Sequence, residues 1–343
     1  MSIFSFSRDV GVDFGTSRTR IFVPYKGIVF DEPSVVALDE KSKELLCMGN
    51  YAKEMEGRTI DGVVVTPMLS NGVVQDERIA EQYLRSGLKR SYGLFSTFSV
   101  LRHDVLVNVP TNTTSMEERA VIQTCKRAGV RNVFAEKSAI LAALGIGTPR
   151  DELRGRMVVD IGAGLTEAAV ISLGGMSSSS TIKVGGDDVD WSIVQYIQER
   201  HQLFISKETA REVKEKVGSV VTDQSPAELK VKGNDTQSRL PRVVVVTSND
   251  IADAIYKEVE GILKTIESVF QSTPPELTSD IIDRGIVLTG GMAKLRGIDV
   301  AIEKHINVPV QVANDPEHAV IRGIGRSIQT GHLDFHKQAI LTQ

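Results

Sequence analysis

The sequence has few cysteines, few aromatic residues and no long run of apolar residues. Cys47 and Cys125 are the only cysteines in 343 residues, so it offers neither a disulfide framework nor a CxxC zinc site. Its six histidines form no metal motif such as HExxH. No apolar run reaches the roughly 18 residues that a transmembrane helix needs, and residues 1–7 lack the charged start of a signal peptide. We therefore expect a protein of the reducing cytoplasm.

The charge balance is also moderate. A net charge of −4 argues against a general nucleic-acid binder, because such proteins are usually basic. Charged residues make up 24% and hydrophobic residues 41% of the chain, which is ordinary for a globular protein. The length is sufficient for about two domains with full cores.

The first positive signal is a motif that occurs twice. In each copy an Asp at the end of an apolar run is followed by a Gly two residues on and a Thr six residues on. Because glycine has no Cβ, such a turn lets the backbone approach a phosphate. Either copy alone would also fit a hairpin without a ligand. The repeat predicts two related domains whose hairpins clamp one polyphosphate. The equivalent pairs, each 147 residues apart, are Asp13/Asp160, Gly15/Gly162 and Thr19/Thr166.

Apolar runs of strand length alternate with helix patterns along the chain, which predicts an α/β fold. Residues 115–118 form a capping-box pattern, and an apolar period from Ile251 to Val269 indicates a long helix. We expect Glu136 to open a helix and the polar residues 221–240 to carry a hairpin.

We place two domains and two smaller insertions on the chain. The first domain spans residues 1–147, with a small subdomain inserted at about 33–75. The second spans residues 148–320, with a small subdomain inserted at about 185–246. Residues 321–343 form a C-terminal helix that returns to the first domain, followed by a tail.

Three motifs in order resemble the phosphate and adenosine motifs of the actin, sugar kinase and heat-shock chaperone superfamily. Finer segments resemble the MreB family of rod-shape bacterial actins over about residues 9–330, for example residues 32–37, 184–187, 273–277 and 283–291. The resemblance implies an actin-like fold, with two related α/β domains and four subdomains around a nucleotide cleft. The three motifs are Asp13-x-Gly15-Thr16, Asp160-x-Gly162-x-Gly164 and Leu288-Thr289-Gly290-Gly291.

The same resemblance implies ATP-dependent assembly into filaments. The expected partner is therefore the protein itself, as a homopolymer of paired protofilaments. The filaments would lie peripherally at the inner face of the cell membrane and organise cell shape and cell-wall synthesis. Further partners would be the membrane surface and cell-shape and wall-synthesis membrane proteins, with no nucleic acid.

The phosphate end of the implied site uses both hairpins. Asp13 and Asp160 would hold Mg²⁺ through water, and the alternative is that they cap local turns. Arg18 could contact a phosphate or point to solvent. The ATP phosphates would lie on Gly15, Thr16, Ser17 and Arg18 of the first loop and on Gly162, Ala163 and Gly164 of the second.

The adenosine end would use the last glycine motif and one helix. Asp187 would reach the ribose or the metal's water shell, or would cap the helix that follows it. A surface charge cluster is the alternative for the three helix residues. The residues implied at this end are Gly290, Gly291 and Met292, with Arg211, Lys214 and Glu215 on the helix.

The predicted catalytic residues are Glu136 and Thr166. Glu136 matches the first Glu of a Glu-Glu-Pro motif that positions or deprotonates the attacking water. The alternative is a Glu stabilised by a helix N-terminus. The motif continues here as Lys137-Ser138, and Lys137 could pair with Glu136. Leu165 replaces the first Thr of Gly-Gly-Gly-Thr-Thr-Glu and cannot form a hydrogen bond. We therefore predict ATP binding with slow hydrolysis.

Membrane contact is a separate hypothesis. Residues 93–98 match in position a loop that inserts apolar side chains into the bilayer in some family members. Leu94 and Phe95 in this loop, with Phe4 near the N-terminus, would make a weak two-point anchor. The alternative is that apolar residues of this loop enter the core.

Two rival functions share the fold, a small-molecule kinase and a chaperone-like ATPase. A kinase needs a catalytic base, for which the sequence offers no candidate besides Glu136. A chaperone needs a substrate-binding domain, which we do not expect after the last predicted helix near Gln329.

Overall fold

The computed structural model describes residues 9–58, 61–92 and 103–330. The chain divides into two compact units. The first runs to Arg150 and resumes at His318, and the second is Asp151–Glu317. Within the described ranges, no helix is both long enough and apolar enough to cross a bilayer.

The first unit contains ten strands and four helices before residue 150, counted over the described residues. Its strands are β1 (Asp9–Phe14), β2 (Arg18–Val23), β3 (Gly27–Pro33), β4 (Val35–Asp39), β5 (Leu45–Met48), β6 (Val63–Pro67), β7 (Leu69–Ser70), β8 (Val73–Val74), β9 (Asp104–Val109) and β10 (Asn132–Lys137). Its helices are α1 (Asn50–Met55), α2 (Glu77–Tyr92), α3 (Ser115–Arg127) and α4 (Ser138–Gly145).

The second unit continues the α/β pattern. Its strands are β11 (Arg156–Ile161), β12 (Thr166–Ser172), β13 (Gly175–Ile182), β14 (Leu203–Phe204), β15 (Glu228–Asp235), β16 (Pro241–Thr247), β17 (Ile286–Thr289) and β18 (Val310–Val312). Its helices are α5 (Gly186–His201), α6 (Lys207–Val217), α7 (Ser248–Ser272), α8 (Pro275–Arg284) and α9 (Ile298–Ile306). The helix α10 (Ala319–Gln329) follows and packs against α4 and β1 of the first unit.

The large sheets of the two units repeat one another. Their strand orders are β10-β9-β1-β2-β3 and β18-β17-β11-β12-β13. In both, an antiparallel meander is extended by two parallel strands. The hairpin register is also the same, since Asp13 lies opposite Arg20 and Asp160 lies opposite Glu167. The predicted internal repeat is therefore confirmed in strand order and in register.

Each unit has its own apolar core. The central strands β11 and β17 contain the buried apolar runs 157–159 and 286–288, as expected for parallel neighbours that are buried on both faces. The long helix predicted from its apolar period is α7. Its periodic residues are all buried, namely Ile251, Ile255, Val259, Ile262, Ile266 and Val269. Smaller sheets of order β5-β4-β6 and β14-β15-β16 complete the two units.

Three local predictions were wrong in position. The helix α3 is capped by Thr114 and Glu117 in a reciprocal capping box, one residue before the predicted pair. Glu136 does not open a helix, because it lies in β10 and α4 begins at Ser138. The hairpin expected within residues 221–240 is formed by β15 and β16, which extend it to Thr247.

Candidate functional site

The loop that joins β1 to β2 carries the first predicted phosphate motif. Hydrogen bonds hold its backbone in place. Gly15 N donates to Arg18 O at 3.2 Å and closes the turn. The Ser34 hydroxyl donates to Gly15 O at 2.6 Å, and Ser34 N donates to Ser17 O at 2.9 Å. The Thr16 hydroxyl accepts from Gly72 N at 3.1 Å. These bonds therefore fix the backbone of the loop from several sides.

Asp13 is a buried acid at the end of β1. Its Oδ2 lies 3.4 Å from Arg20 Nη1 on the neighbouring strand. Burial raises the pKa of Asp13 above its usual value, although the charge and hydrogen bond of Arg20 oppose this. Because the contact between Arg20 and Asp13 is long, the negative charge of the buried carboxylate is only partly neutralised. The position therefore suits a cation.

The Arg18 side chain is paired with Asp31 of the neighbouring strand. Its Nε donates to Asp31 Oδ1 at 2.6 Å and its Nη2 donates to Asp31 O at 2.8 Å. Burial alone would raise the pKa of Asp31, but the Arg18 hydrogen bond and the charges of Arg20 and Arg18 outweigh it and lower the pKa. The guanidinium of Arg18 therefore stabilises the neighbouring strand β3.

The second loop repeats the turn of the first. Gly162 N donates to Leu165 O at 2.9 Å, as Gly15 N does to Arg18 O. Leu165 thus occupies the position of Arg18, and its backbone carbonyl closes the turn. Thr166 is buried, and its hydroxyl donates to Val184 O at 2.9 Å.

The carbonyls of this second loop face the start of α5. Gly186 N donates to Gly162 O at 3.0 Å, and Asp187 N donates to Ala163 O at 2.8 Å. A Cβ at Gly185 would lie 2.5 Å from Ala163 O, so this position has no room for a side chain. Gly164 is buried within the same turn. The backbone of α5 therefore holds the loop in place.

Asp160 and the glycine motif meet because β11 and β17 are parallel neighbours. Asp160 lies opposite Thr289, whose hydroxyl donates to Asp160 Oδ1 at 3.1 Å. Gly290 has φ +84°, and a Cβ there would lie 2.3 Å from Ile161 O, so only glycine fits. Gly291 has open space where a side chain would stand. This strand end brings the second carboxylate and the implied adenosine motif together.

The predicted adenosine residues are divided between the core and the surface. Met292 is buried, and its side chain packs beside Gly186 together with the Lys214 ammonium. Glu215 is exposed on α6. Asp187 does not cap α5, because the cap is Gly185, whose N donates to Asp188 Oδ2 at 2.8 Å. The predicted capping role of Asp187 is therefore wrong.

The helix cations are held by two acids of α5. Asp187 Oδ1 lies 3.1 Å from both Lys207 Nζ and Arg211 Nη2. Asp190 is 0% exposed, with Oδ1 2.7 Å from Lys214 Nζ and Oδ2 3.2 Å from Arg211 Nε. Lys214 also donates to Gly186 O at 2.7 Å. Burial lowers the pKa of Lys214, and its attraction to Asp190 opposes that shift.

Sequence reasoning missed Asp190. A signal was present, because Asp190 stands three, four and seven residues before the apolar positions 193, 194 and 197 on the same helix face. An acid on the apolar stripe of a helix needs a buried partner.

Asn108 on β9 was also missed by the sequence analysis. It accepts from Phe14 N at 2.7 Å and donates to the Ser138 hydroxyl at 3.2 Å.

The Glu136 carboxylate forms its ion pair with Arg150 and not with the Lys137 ammonium. Its Oε2 accepts from Arg150 Nη2 at 2.9 Å, and its Oε1 accepts from Lys137 N at 3.0 Å. The Lys137 ammonium lies 3.4 Å from Glu118 Oε2. The suggested side-chain pair of Lys137 with Glu136 is therefore wrong. The membrane residues Phe4, Leu94 and Phe95 lie outside the described residues.

Comparison with known proteins agrees with this geometry. A family model described as MreB/Mbl protein matches residues 7–334. The cell shape-determining protein Mbl of Bacillus cereus is 40% identical over 320 residues, covering 93% of this chain and 95% of that protein. The cell shape-determining protein MreB of Escherichia coli is 37% identical over 335 residues, covering 96% and 95%.

Solved structures of bacterial actins match the fold of this chain. MreB5 of Spiroplasma citri bound to ADP has a TM-score of 0.89 at 30% identity, covering 96% of this chain and 98% of that one. The MamK double helical filament has a TM-score of 0.77 at 21% identity, covering 94% and 98%. The predicted actin-like α/β fold is confirmed by these matches. The chain belongs to the MreB/Mbl family of bacterial actins.

Proposed function

We propose that the protein is an ATP-binding, filament-forming bacterial actin that acts in cell shape. The observation that carries this proposal is the duplicated hairpin, with the same turn, the same register and an Asp at the same place in both units. Relatives named as cell shape-determining proteins support the cellular role. Solved MreB5 structures with ADP and with AMPPNP support nucleotide binding.

In this proposal the two loops bind the phosphates and the two carboxylates hold Mg²⁺ through water. Asp13 and Asp160 supply carboxylate oxygens that would accept hydrogen bonds from the water shell of Mg²⁺, and both lie one residue before the end of a strand. When bound, Mg²⁺ would neutralise charge on the phosphates during hydrolysis. Backbone N–H groups of the loops would donate to phosphate oxygens, and Arg211 and Lys214 would lie at the adenosine end.

Nucleotide-dependent assembly tests this function directly. We expect the protein to pellet with ATP and Mg²⁺ and to bind a fluorescent ATP analogue. The variants Asp13→Asn and Asp160→Asn should each lose most Mg²⁺-dependent binding, about tenfold or more, because a charged contact to the cation is worth about 1.5–3 kcal/mol. The matched control Glu260→Gln removes an exposed acid on α7 and should bind normally.

Three results would contradict the proposal. Absence of ATP binding by the unaltered protein would exclude the nucleotide site. Binding without filaments in electron micrographs, together with phosphate transfer to a small acceptor, would favour a small-molecule kinase. Binding without filaments but with ATP-dependent release of unfolded peptides would favour a chaperone-like ATPase.

We also propose that the filaments lie at the inner face of the cell membrane and organise wall synthesis with membrane proteins. The double variant Leu94→Ser, Phe95→Ser tests the membrane contact, since two polar side chains would remove most of the apolar surface that enters a bilayer. We expect at least a fivefold loss of pelleting with liposomes. The unaltered filament without liposomes is the control. Unchanged liposome binding would refute a loop anchor.

A further inference from the structure

Arg150 and Glu136 form an ion pair, and Glu136 is one of the two predicted catalytic residues. Glu136 is the residue predicted from the sequence to position or deprotonate the attacking water. Its Oε2 accepts from Arg150 Nη2 at 2.9 Å, and its Oε1 accepts from Lys137 N at 3.0 Å. The Glu136 side chain is 14% exposed and the Arg150 side chain is 26% exposed. Both carboxylate oxygens therefore already accept hydrogen bonds.

An acid that orients a water molecule must offer that water a free acceptor in the right direction. Arg150 opposes this in two ways. Its guanidinium occupies one acceptor position of Oε2 and fixes its direction, and its charge holds the carboxylate at Arg150 more firmly than a neutral donor would. Because the pair is largely buried, solvent screens the attraction less than it would at the surface.

The backbone around Glu136 is held by other contacts. In the parallel register, Glu136 and Lys137 lie opposite Asn108 and Val109. The Ser138 hydroxyl donates to Val109 O at 3.1 Å. Removal of the Arg150 side chain would therefore release the carboxylate without releasing the strand.

We infer that Arg150 is a positioning residue that holds Glu136 in a resting orientation and thereby restrains nucleotide hydrolysis. The inference rests on the proposed function, because it assumes that this chain binds ATP and that Glu136 orients the water. Arg150 is also the last residue of the first unit before Asp151 begins the second. The restraint is thus attached to the segment that connects the units.

The test is phosphate release by full-length protein with saturating ATP. Arg150→Ala should raise the rate about fivefold or more, since an ion pair of about 1 kcal/mol corresponds to a fivefold change. ATP affinity should stay within about twofold. Arg154→Ala is the matched control, because it removes an exposed cation four residues away whose partner is Glu152, and it should leave the rate unchanged.

The double variant Arg150→Ala, Glu136→Gln separates this role from a purely structural one. If Arg150 acts through Glu136, the gain disappears in that background. Arg150→Gln, which keeps a shorter polar side chain and loses the charge, is a second variant for the case that the alanine variant folds poorly. A gain that persists without Glu136, or no gain in either Arg150 variant, would overturn the inference. Absence of ATP binding by the unaltered protein would instead overturn the proposed function.

Discussion

Replacement of Asp190 by alanine is expected to lower the free energy of unfolding of the second unit by about 3–5 kcal/mol, the usual cost of removing one partner from a buried ion pair. Asp190 is 0% exposed, and the Lys214 side chain is only 11% exposed. Without the acid, Lys214 and Arg211 would face each other as like charges, with Asp187 left to pair with Arg211 and Lys207. The measurement is the urea midpoint together with hydrogen exchange in α5 and α6.

Two further variants test whether the loss of stability in Asp190→Ala arises because the ion pair is buried. Glu212→Gln on α6 breaks an ion pair to Lys216 in which both side chains are more than half exposed, and it should cost less than about 1 kcal/mol. Asp190→Ala combined with Lys214→Met should recover part of the lost stability, because the uncompensated ammonium is then gone. If Asp190→Ala cost no more than Glu212→Gln, the buried pair would not be stabilising α5 on α6.

The repeated fold could be predicted because its signals are local. The Asp, Gly and Thr of each hairpin lie within seven residues, and a hairpin's register follows from its turn. The pairs Asp13/Asp160 and Gly15/Gly162 therefore predicted the duplicated sheet. The capping box failed for an equally local reason. Thr114 and Ser115 are both good N-cap residues, and each is followed three residues later by a glutamate, Glu117 or Glu118. The capping-box pattern therefore fits two positions that differ by one residue.

The partners of the charged side chains could not be predicted, because they depend on contacts between residues that are separated in the sequence. Arg18 finds Asp31 only because β2 and β3 are neighbours. Glu136 finds Arg150 instead of the adjacent Lys137, whose side chain points to Glu118. Successive residues of a strand point to opposite faces, so sequence neighbours in β10 are poorly placed to pair through their side chains.

The variant Leu165→Thr is expected to raise ATP hydrolysis by about 30- to 1,000-fold. One positioning hydrogen bond to a transition state is worth about 2–4 kcal/mol, and each 1.36 kcal/mol is a factor of ten. The substitution should not disturb the loop, since Leu165 closes the turn through its backbone carbonyl, which accepts from Gly162 N at 2.9 Å. The measurement is phosphate release at saturating ATP.

Leu165→Val is the matched control, because valine has the shape of threonine without the hydroxyl. If the hydroxyl positions water, Leu165→Thr gains activity and Leu165→Val does not. Equal rates for the two variants, or a starting protein that already hydrolyses as fast as Leu165→Thr, would contradict the prediction.

The combination of Leu165→Thr with Arg150→Ala shows whether hydrolysis is restrained at one point or at two. Leu165 belongs to the second unit and Arg150 to the first, and neither change removes a group that the other uses in the structure. Effects of independent sites add in free energy, so the two rate increases should multiply. A double variant no faster than Leu165→Thr would instead mean that the threonine hydroxyl alone suffices to place the water. In that case the orientation of Glu136 would not limit the rate.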